Sequence, residues 1–186
     1  GWIQVGGAHN YLLNDSLTRE MLLFYGRREL SAERETAQWE EIVTWCENND
    51  FRGDENAGQL NSFAHTAETL IPEVAEPETD GLSIYIQNRV PIALQFFNQM
   101  NSGIRDIDGP TYELPISDKL HKITLPTLLL WGKYDFVCPP ELADDIKANV
   151  GSRDVRFRLF EQSGHSPMMN ERSSYWQEVL AWVDIH

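Results

Sequence analysis

The sequence predicts an α/β fold in which a parallel sheet of three strands is interrupted by a large helical insertion. Residues 2–6 form a short apolar segment followed by glycine, and residues 12–120 place apolar side chains mainly at helical spacing. After Leu125, apolar runs of strand length alternate with helical segments. The order strand, helix, strand, helix implies parallel strands joined by right-handed crossovers. The expected strands are residues 2–6, 125–131 and 155–160.

The first two helices are predicted from capping residues and from the spacing of apolar side chains. Asp15 or Ser16 is expected to cap a helix that runs through Leu30, and Ser31 is expected to cap the next one. The second helix carries apolar residues at helical spacing, namely Trp39, Ile42, Val43 and Cys46. Each helix would therefore bury one face.

Two more helical stretches complete the insertion. The third helix is indicated by apolar and small residues at the same spacing, namely Leu60, Phe63, Ala64, Ala67 and Leu70. Asp80 precedes the fourth stretch, from Leu82 to about Met100, in which Pro91 should mark a kink or a break. The insertion is therefore expected to be mainly helical.

The C-terminal part of the sequence changes to strand-length patterns. Residues 126–132 form a continuous apolar run, as expected for a strand that is buried on both faces. Pro139 and Pro140 fit the first turn of a helix that ends near Gly151, and residues 155–160 form the next strand. In the last helix, Ser173 or Ser174 would be the cap, and one face would present Trp176, Val179, Leu180 and Val183.

The net charge of −14 lies mostly in one region. Residues 12–120 hold 20 acidic and 8 basic side chains. This charge excludes nucleic acid as an expected partner, because phosphates would be repelled. No apolar run is long enough to span a membrane, and no basic signal-peptide start precedes the first strand. Since the sequence opens inside an apolar strand, we expect it to continue a longer protein, and the localisation is left open.

The two cysteines, Cys46 and Cys138, are expected to be small buried hydrophobes. They lie far apart in the sequence and show neither metal nor redox spacing. We therefore expect no metal site and no dependence on a disulfide.

Two residues follow the predicted strands at the edge where parallel sheets carry reactive groups. Asp135 comes after the strand at 125–131, and His165 comes thirty positions later, after the strand at 155–160. One strand–helix–strand crossover has about this length and brings the two loops side by side. A carboxylate in contact with an imidazole fixes the tautomer of the ring and stabilises the imidazolium that forms when the ring accepts a proton.

The residues around this pair resemble the closing third of the α/β-hydrolase family. Residues 125–135 read LPTLLLWGKYD, and residues 160–167 read FEQSGHSP. In that family an apolar strand ends in a Trp-Gly turn and an Asp, and a Gly-His pair follows the last strand. The resemblance is close over residues 123–184 and weaker over residues 2–10. It implies that Asp135 is the acid and His165 the general base of a catalytic triad.

The nucleophile of that family is absent from these 186 residues. Its elbow motif, G-x-S-x-G, does not occur, and neither does the glycine-rich oxyanion loop. Ser163 and Ser166 flank His165 but do not sit on a strand-to-helix elbow, so neither is expected to replace the nucleophile. His9 and His65 are weaker candidates, and His9, which ends the first strand, is expected to be structural.

The resemblance divides the chain into residues 1–11, a core strand before the cap, residues 12–120, the helical cap, and residues 121–186, the C-terminal part of the hydrolase core. It implies a serine hydrolase of a small-molecule ester or amide, without cofactor or metal and inactive without its N-terminal part. Three alternatives stay open: an aminopeptidase like proline iminopeptidase, an epoxide or haloalkane hydrolase with an aspartate nucleophile, and a non-catalytic binding module. The missing segment or another copy should cover the open sheet edge, and no membrane partner is expected.

Overall fold

The computed structural model describes residues 1–77 and 116–186, and within them three parallel strands form one sheet. β1 spans Trp2–Val5, β2 spans Thr127–Gly132 and β3 spans Val155–Phe160. β2 lies in the middle, with Trp2 opposite Thr127 on one side and Val155 opposite Thr127 on the other. The predicted α/β class and the three parallel strands are confirmed, with strand ends shifted by at most two residues.

β2 is buried along its whole length, and its side chains divide between two cores. Leu128 and Leu130 pack with Phe160, Tyr175 and Trp182 on one face of the sheet. On the other face, alternate residues of the same strand pack with another set, which consists of Leu129, Trp131, Leu142, Ala143 and Ile146. This period of two explains why the sequence of β2 reads as one unbroken apolar run.

The helices of the insertion are α1 (Tyr11–Ser31), α2 (Thr36–Asn48) and α3 (Asp54–Leu70). Their inward residues form one core, and it includes most of the positions predicted from helical spacing, namely Trp39, Ile42, Cys46, Leu60, Phe63, Ala64 and Ala67. Tyr134 and Phe136, in the loop after β2, belong to the same core. The helices therefore pack directly on the loop that carries Asp135. The fourth predicted helical stretch lies outside the described residues.

The predicted caps of α1 and α2 were wrong. α1 begins at Tyr11 because the side chain of Asn10 accepts a hydrogen bond from the backbone N–H of Leu13, whereas Asp15 is buried inside the helix. Ser31 is the last residue of α1, and its hydroxyl donates to the Arg27 carbonyl. α2 starts only at Thr36, after two residues with positive φ, Glu33 and Glu35.

The turn between α1 and α2 has a clear electrostatic cause. Glu29 is fully buried, and its carboxylate accepts hydrogen bonds from Arg28 and from Arg34, which lies in the turn. The hydrogen bond from Arg34 outweighs burial and lowers the pKa of Glu29. A buried carboxylate requires such partners, so Arg34 is drawn back onto α1 and delays the start of α2.

The C-terminal helices are α4 (Leu142–Asn149), α5 (Pro167–Asn170) and α6 (Arg172–Val183). Pro139 and Pro140 lie in the turn just before α4, where their carbonyls accept from Leu142 and Ala143. A 3₁₀-helix at Ser117–Lys122 packs near α4. No helix among residues 1–77 and 116–186 is long and apolar enough to cross a membrane.

The predicted inner face of α6 was correct at Val179 and wrong at its other three positions. The buried residues are Tyr175 and Trp182, with Val179 partly buried between them, and Ser173 and Ser174 lie inside the first turn without capping it. Packing of the Tyr175 ring on Phe160, with 5.8 Å between ring centroids, sets the rotation of the helix. Three of its large apolar side chains are left about half exposed, Trp176 at 48%, Leu180 at 60% and Val183 at 52%.

Both outer strands of the sheet have an open edge, because within the described residues β1 and β3 each pair only with β2. All four residues of β1 are only partly buried. An unpaired parallel edge recruits another strand, and the exposed apolar face of α6 also favours a covering partner. We propose that a further strand of the same protein pairs with β1.

We expect the 186-residue chain, purified alone, to bind a hydrophobic dye and to elute above its monomer mass. Co-expression with the remaining sequence of the protein should remove both effects, because the edge and the apolar face would then be covered. Size-exclusion chromatography with dye fluorescence measures this. A stable homodimer without dye binding would identify a second copy as the partner, and a dye-silent monomer would reject the proposal.

Candidate active site

Asp135 lies in the loop directly after β2 and is completely buried. Its Oδ1 accepts a hydrogen bond from the backbone N–H of Cys138 at 2.7 Å. Burial raises the pKa of the Asp135 carboxyl, while hydrogen bonds from His165 and from the backbone of Cys138 and Val137 lower it. A buried carboxyl group that accepts several hydrogen bonds has a fixed orientation. Such a group can hold a neighbouring side chain in place.

His165 follows β3 and reaches the carboxylate from the neighbouring loop. Its Nδ1 lies 3.0 Å from Oδ2 and 3.1 Å from Oδ1 of Asp135. The side chain of His165 is 34% exposed, whereas that of Asp135 is inaccessible. The expected contact is therefore present: the carboxylate holds one ring nitrogen inside the protein, while part of the imidazole remains accessible to a reactant.

Gly6, at the end of β1, forms the third side of this site. Its φ is +43°, and a β carbon at this position would lie 2.8 Å from Oδ2 of Asp135 and 3.4 Å from Nδ1 of His165. Its N–H donates to the carbonyl of Leu130 at 3.1 Å. Glycine is therefore required here both for the backbone conformation and for the space that the Asp–His pair occupies.

Glu68 was missed by the sequence analysis. It lies on α3, and its Oε1 accepts a hydrogen bond from the backbone N–H of His165 at 3.0 Å. Burial and the neighbouring Asp135 raise the pKa of Glu68 to about 8, although hydrogen bonds from the backbone of His165 and Phe136 oppose the rise. One signal was available: Glu68 continues the row of Leu60 and Ala64 at intervals of four, where another inward apolar residue would be expected.

The two weaker histidine candidates differ in their surroundings. His9 is buried, and its Nε2 lies 2.6 Å from Oδ2 of Asp145 on α4, which also accepts from the hydroxyl of Ser117. This network joins α4 to the segment before the helical insertion and to the 3₁₀-helix at Ser117–Lys122, which fits the expected structural role. His65 lies on α3, with its ring edge-on to that of His165 at a centroid distance of 6.4 Å.

The possible substitute nucleophiles differ in their surroundings. The hydroxyl of Ser163 is buried and donates to Oε2 of Glu171 at 2.7 Å. Ser166 precedes α5 and makes no side-chain capping bond. Cys138 is a free, buried thiol, and burial raises its pKa strongly, which disfavours the thiolate. Among the described residues, no group of three or more His, Cys, Asp or Glu side chains could hold a metal ion.

A family comparison covers this same region. The sequence model of the serine aminopeptidase family S33 matches residues 115–173. The matched segment contains β2, β3, Asp135 and His165, and it leaves out the three helices of the insertion.

Curated relatives include two kinds of hydrolase. A proline iminopeptidase from Saccharolobus solfataricus is 29% identical over 136 residues, which is 73% of this chain and 41% of the relative. A proline iminopeptidase from Lactobacillus helveticus is 32% identical over 79 residues, covering 42% of this chain and 26% of the relative. A pimeloyl-[acyl-carrier protein] methyl ester esterase from Vibrio cholerae is 31% identical over 71 residues, covering 38% and 27%.

Among solved structures, an esterase from Exiguobacterium antarcticum aligns with a TM-score of 0.41 and 25% identity, covering 70% of this chain and 46% of that one. The chain spans 26% to 41% of the length of the curated relatives above.

The raised pKa of Glu68 predicts a pH dependence of stability. Since this pKa rises from 4.5 to about 8 on folding, the folded chain binds more protons than the unfolded chain between these values. The contribution of Glu68 to the free energy of unfolding is therefore complete below about pH 4.5 and is lost as the pH rises through about 8. Glu68→Gln should flatten the fall in thermal unfolding temperature across this window.

Glu73→Gln is the matched control, because Glu73 follows α3 closely and its side chain is 42% exposed. Asp135, whose pKa is also raised, is retained in all three proteins, so its carboxyl group is present in every profile. Identical pH profiles for the parent chain and Glu68→Gln would contradict the prediction.

Proposed function

We propose that this chain, whose fold and sequence are those of an α/β-hydrolase, supplies the acid and the general base of a serine hydrolase. In this proposal Asp135 orients the imidazole of His165, and His165 accepts the proton of the nucleophile. The observation that carries it is the 3.0 Å contact between a fully buried carboxylate and the Nδ1 of a partly exposed histidine. These 186 residues contain no G-x-S-x-G motif, so in this proposal the nucleophile elbow belongs to the rest of the protein.

The proposed reaction is acyl transfer to the serine and then to water. As the serine attacks the substrate carbonyl, Nε2 of His165 takes the hydroxyl proton, and backbone N–H groups outside this chain stabilise the oxyanion. The imidazolium then donates that proton to the leaving group. In the second half of the reaction, water attacks the acyl-enzyme while His165 takes its proton, and His165 then returns a proton to the serine as the carboxylic acid product leaves. Asp135 stays ionised throughout and stabilises the imidazolium, since its Oδ atoms lie at Nδ1.

The substrate is proposed to be an ester or amide with a free amino group, as in an aminopeptidase. Two observations favour this reading over a plain esterase. The family that matches residues 115–173 is a serine aminopeptidase family, and two of the relatives are named proline iminopeptidases. In addition, residues 12–120 hold 20 acidic and only 8 basic side chains, which would attract a cationic substrate. The esterase from Vibrio cholerae is the reason to keep the plain esterase as the second candidate.

Replacement of Asp135 tests the proposed triad. In the full-length enzyme, Asp135→Asn should lower kcat by about 10⁴-fold while the fold is retained, because a neutral amide allows the wrong imidazole tautomer. Steady-state kinetics and circular dichroism measure the two quantities. The control is Asp144→Asn, a carboxylate on α4 whose side chain is 72% exposed. Turnover of Asp135→Asn close to that of the control would reject Asp135 as the acid.

Salt dependence distinguishes the two substrate classes. We expect kcat/KM of the full-length enzyme to be higher for a free amino-acyl ester than for its N-acetylated counterpart. The difference should shrink at high ionic strength, because salt screens the attraction between the amine and the acidic region. Equal values for the two esters at low and high salt would favour the plain esterase.

A further inference from the structure

The loop that carries His165 is bonded to the helical insertion as well as to the sheet. Glu68 on α3 accepts from the backbone N–H of His165 at 3.0 Å. Just after α3, the N–H of Ala75 donates to the carbonyl of Gln162 at 2.8 Å, and the carbonyl of Ala75 accepts from the side chain of Asn170 at 2.6 Å. The insertion therefore contacts this loop before, at and after the histidine.

The carboxyl group of Glu68 lies against the glycine that precedes the histidine. A β carbon at position 164 would lie 2.6 Å from Oε2 and 2.7 Å from Cδ of Glu68. All three of the nearest atoms to such a β carbon belong to Glu68. The absence of a side chain at Gly164 thus leaves room for this carboxyl group beside the loop backbone.

Glu68 and Asp135 act on different parts of the same residue. Asp135 accepts from the ring at Nδ1, whereas Glu68 accepts from the backbone N–H. Full burial of Asp135 and partial burial of Glu68 disfavour two negative charges side by side, and the pKa of Glu68 is raised to about 8. A protonated Glu68 can still accept the backbone hydrogen bond, so neutral pH preserves this contact.

We propose that Glu68 is a positioning residue that holds the backbone of His165 and thereby couples helix α3 to the general base. The inference rests on the proposed function, in which His165 transfers the proton. Two anchors, one at the ring and one at the backbone, fix both the direction and the height of the imidazole above the sheet edge. A displacement of about 1 Å at such a group lowers turnover by about 100-fold.

The test compares Glu68→Ala with Glu68→Gln in the full-length enzyme. Alanine removes the acceptor, so kcat should fall about 10- to 100-fold while KM changes less than about threefold, in line with effects of supporting residues around a site. Glutamine keeps an acceptor oxygen without charge, so it should preserve most of kcat. The control is Glu73→Ala, because Glu73 lies outside the site with a 42% exposed side chain.

A second measurement does not depend on turnover. The downfield proton resonance of His165 Nδ1–H, hydrogen-bonded to Asp135, should be sharp in the parent protein and in Glu68→Gln. In Glu68→Ala it should broaden or disappear, because a loop that is free to move breaks the contact with the carboxylate. If the resonance responds in this way while the parent shows no hydrolase activity, the positioning role stands and the proposed function fails.

Gly164→Ala is a second variant that keeps the proposal falsifiable if Glu68→Ala folds poorly, and a double-mutant cycle joins the two changes where both variants fold. Gly164→Ala should lower kcat in the parent, because the new methyl group meets the Glu68 carboxyl. In the Glu68→Ala background the same substitution should lower kcat only slightly, so the effects of the two substitutions on kcat should be strongly non-additive. Additive effects, an unchanged kcat and resonance in Glu68→Ala, or a change confined to KM would each overturn the positioning role.

Discussion

The pairing of β2 with a parallel neighbour on each side is the constraint on which the candidate site depends. Parallel strands end at the same edge of the sheet, so three loops that are distant in the sequence meet there. Gly6, Asp135 and His165 come from these three loops. Every side chain of β2 is buried, so a shift of one residue in its pairing register would exchange the side chains of its two cores. The same shift would separate Asp135 from His165.

The electrostatics of the site follow from the same packing. The helices of the insertion share one apolar core with Tyr134 and Phe136, so Asp135, which lies between them in sequence, is excluded from water. Its charge is then supported by hydrogen bonds from His165 and from the backbone N–H of Cys138. A second carboxyl, that of the partly buried Glu68, lies close to this charge, and burial together with the nearby Asp135 raises its pKa and disfavours its ionisation. Burial by the insertion thus raises the pKa values of the carboxyl groups of Asp135 and Glu68 at the edge of the sheet.

The sequence predicted those parts of the fold that leave a periodic or local signal. The apolar run of β2 and the thirty-residue spacing of Asp135 and His165 indicated the strands and the contact at their tips. Glu68 had no comparable signal, since it meets a backbone N–H 97 positions away. The rotation of α6 about its axis could not be predicted from its own sequence, because two adjacent faces of the helix carry apolar residues at helical spacing. Only the packing of Tyr175 on Phe160 selects the face that is buried.

The strand order has a consequence for how the chain reaches this structure. Trp2 pairs with Thr127, 125 positions later, so the β1–β2 ladder closes a very long loop. By contrast, α1 packs against α2, the next helix in the chain, and the β2–β3 pair spans about thirty residues. Loop closure over a longer segment costs more entropy and slows pairing. The helices and the β2–β3 unit should therefore form early, with β1, and hence Gly6, docking last onto an Asp–His pair that is already assembled.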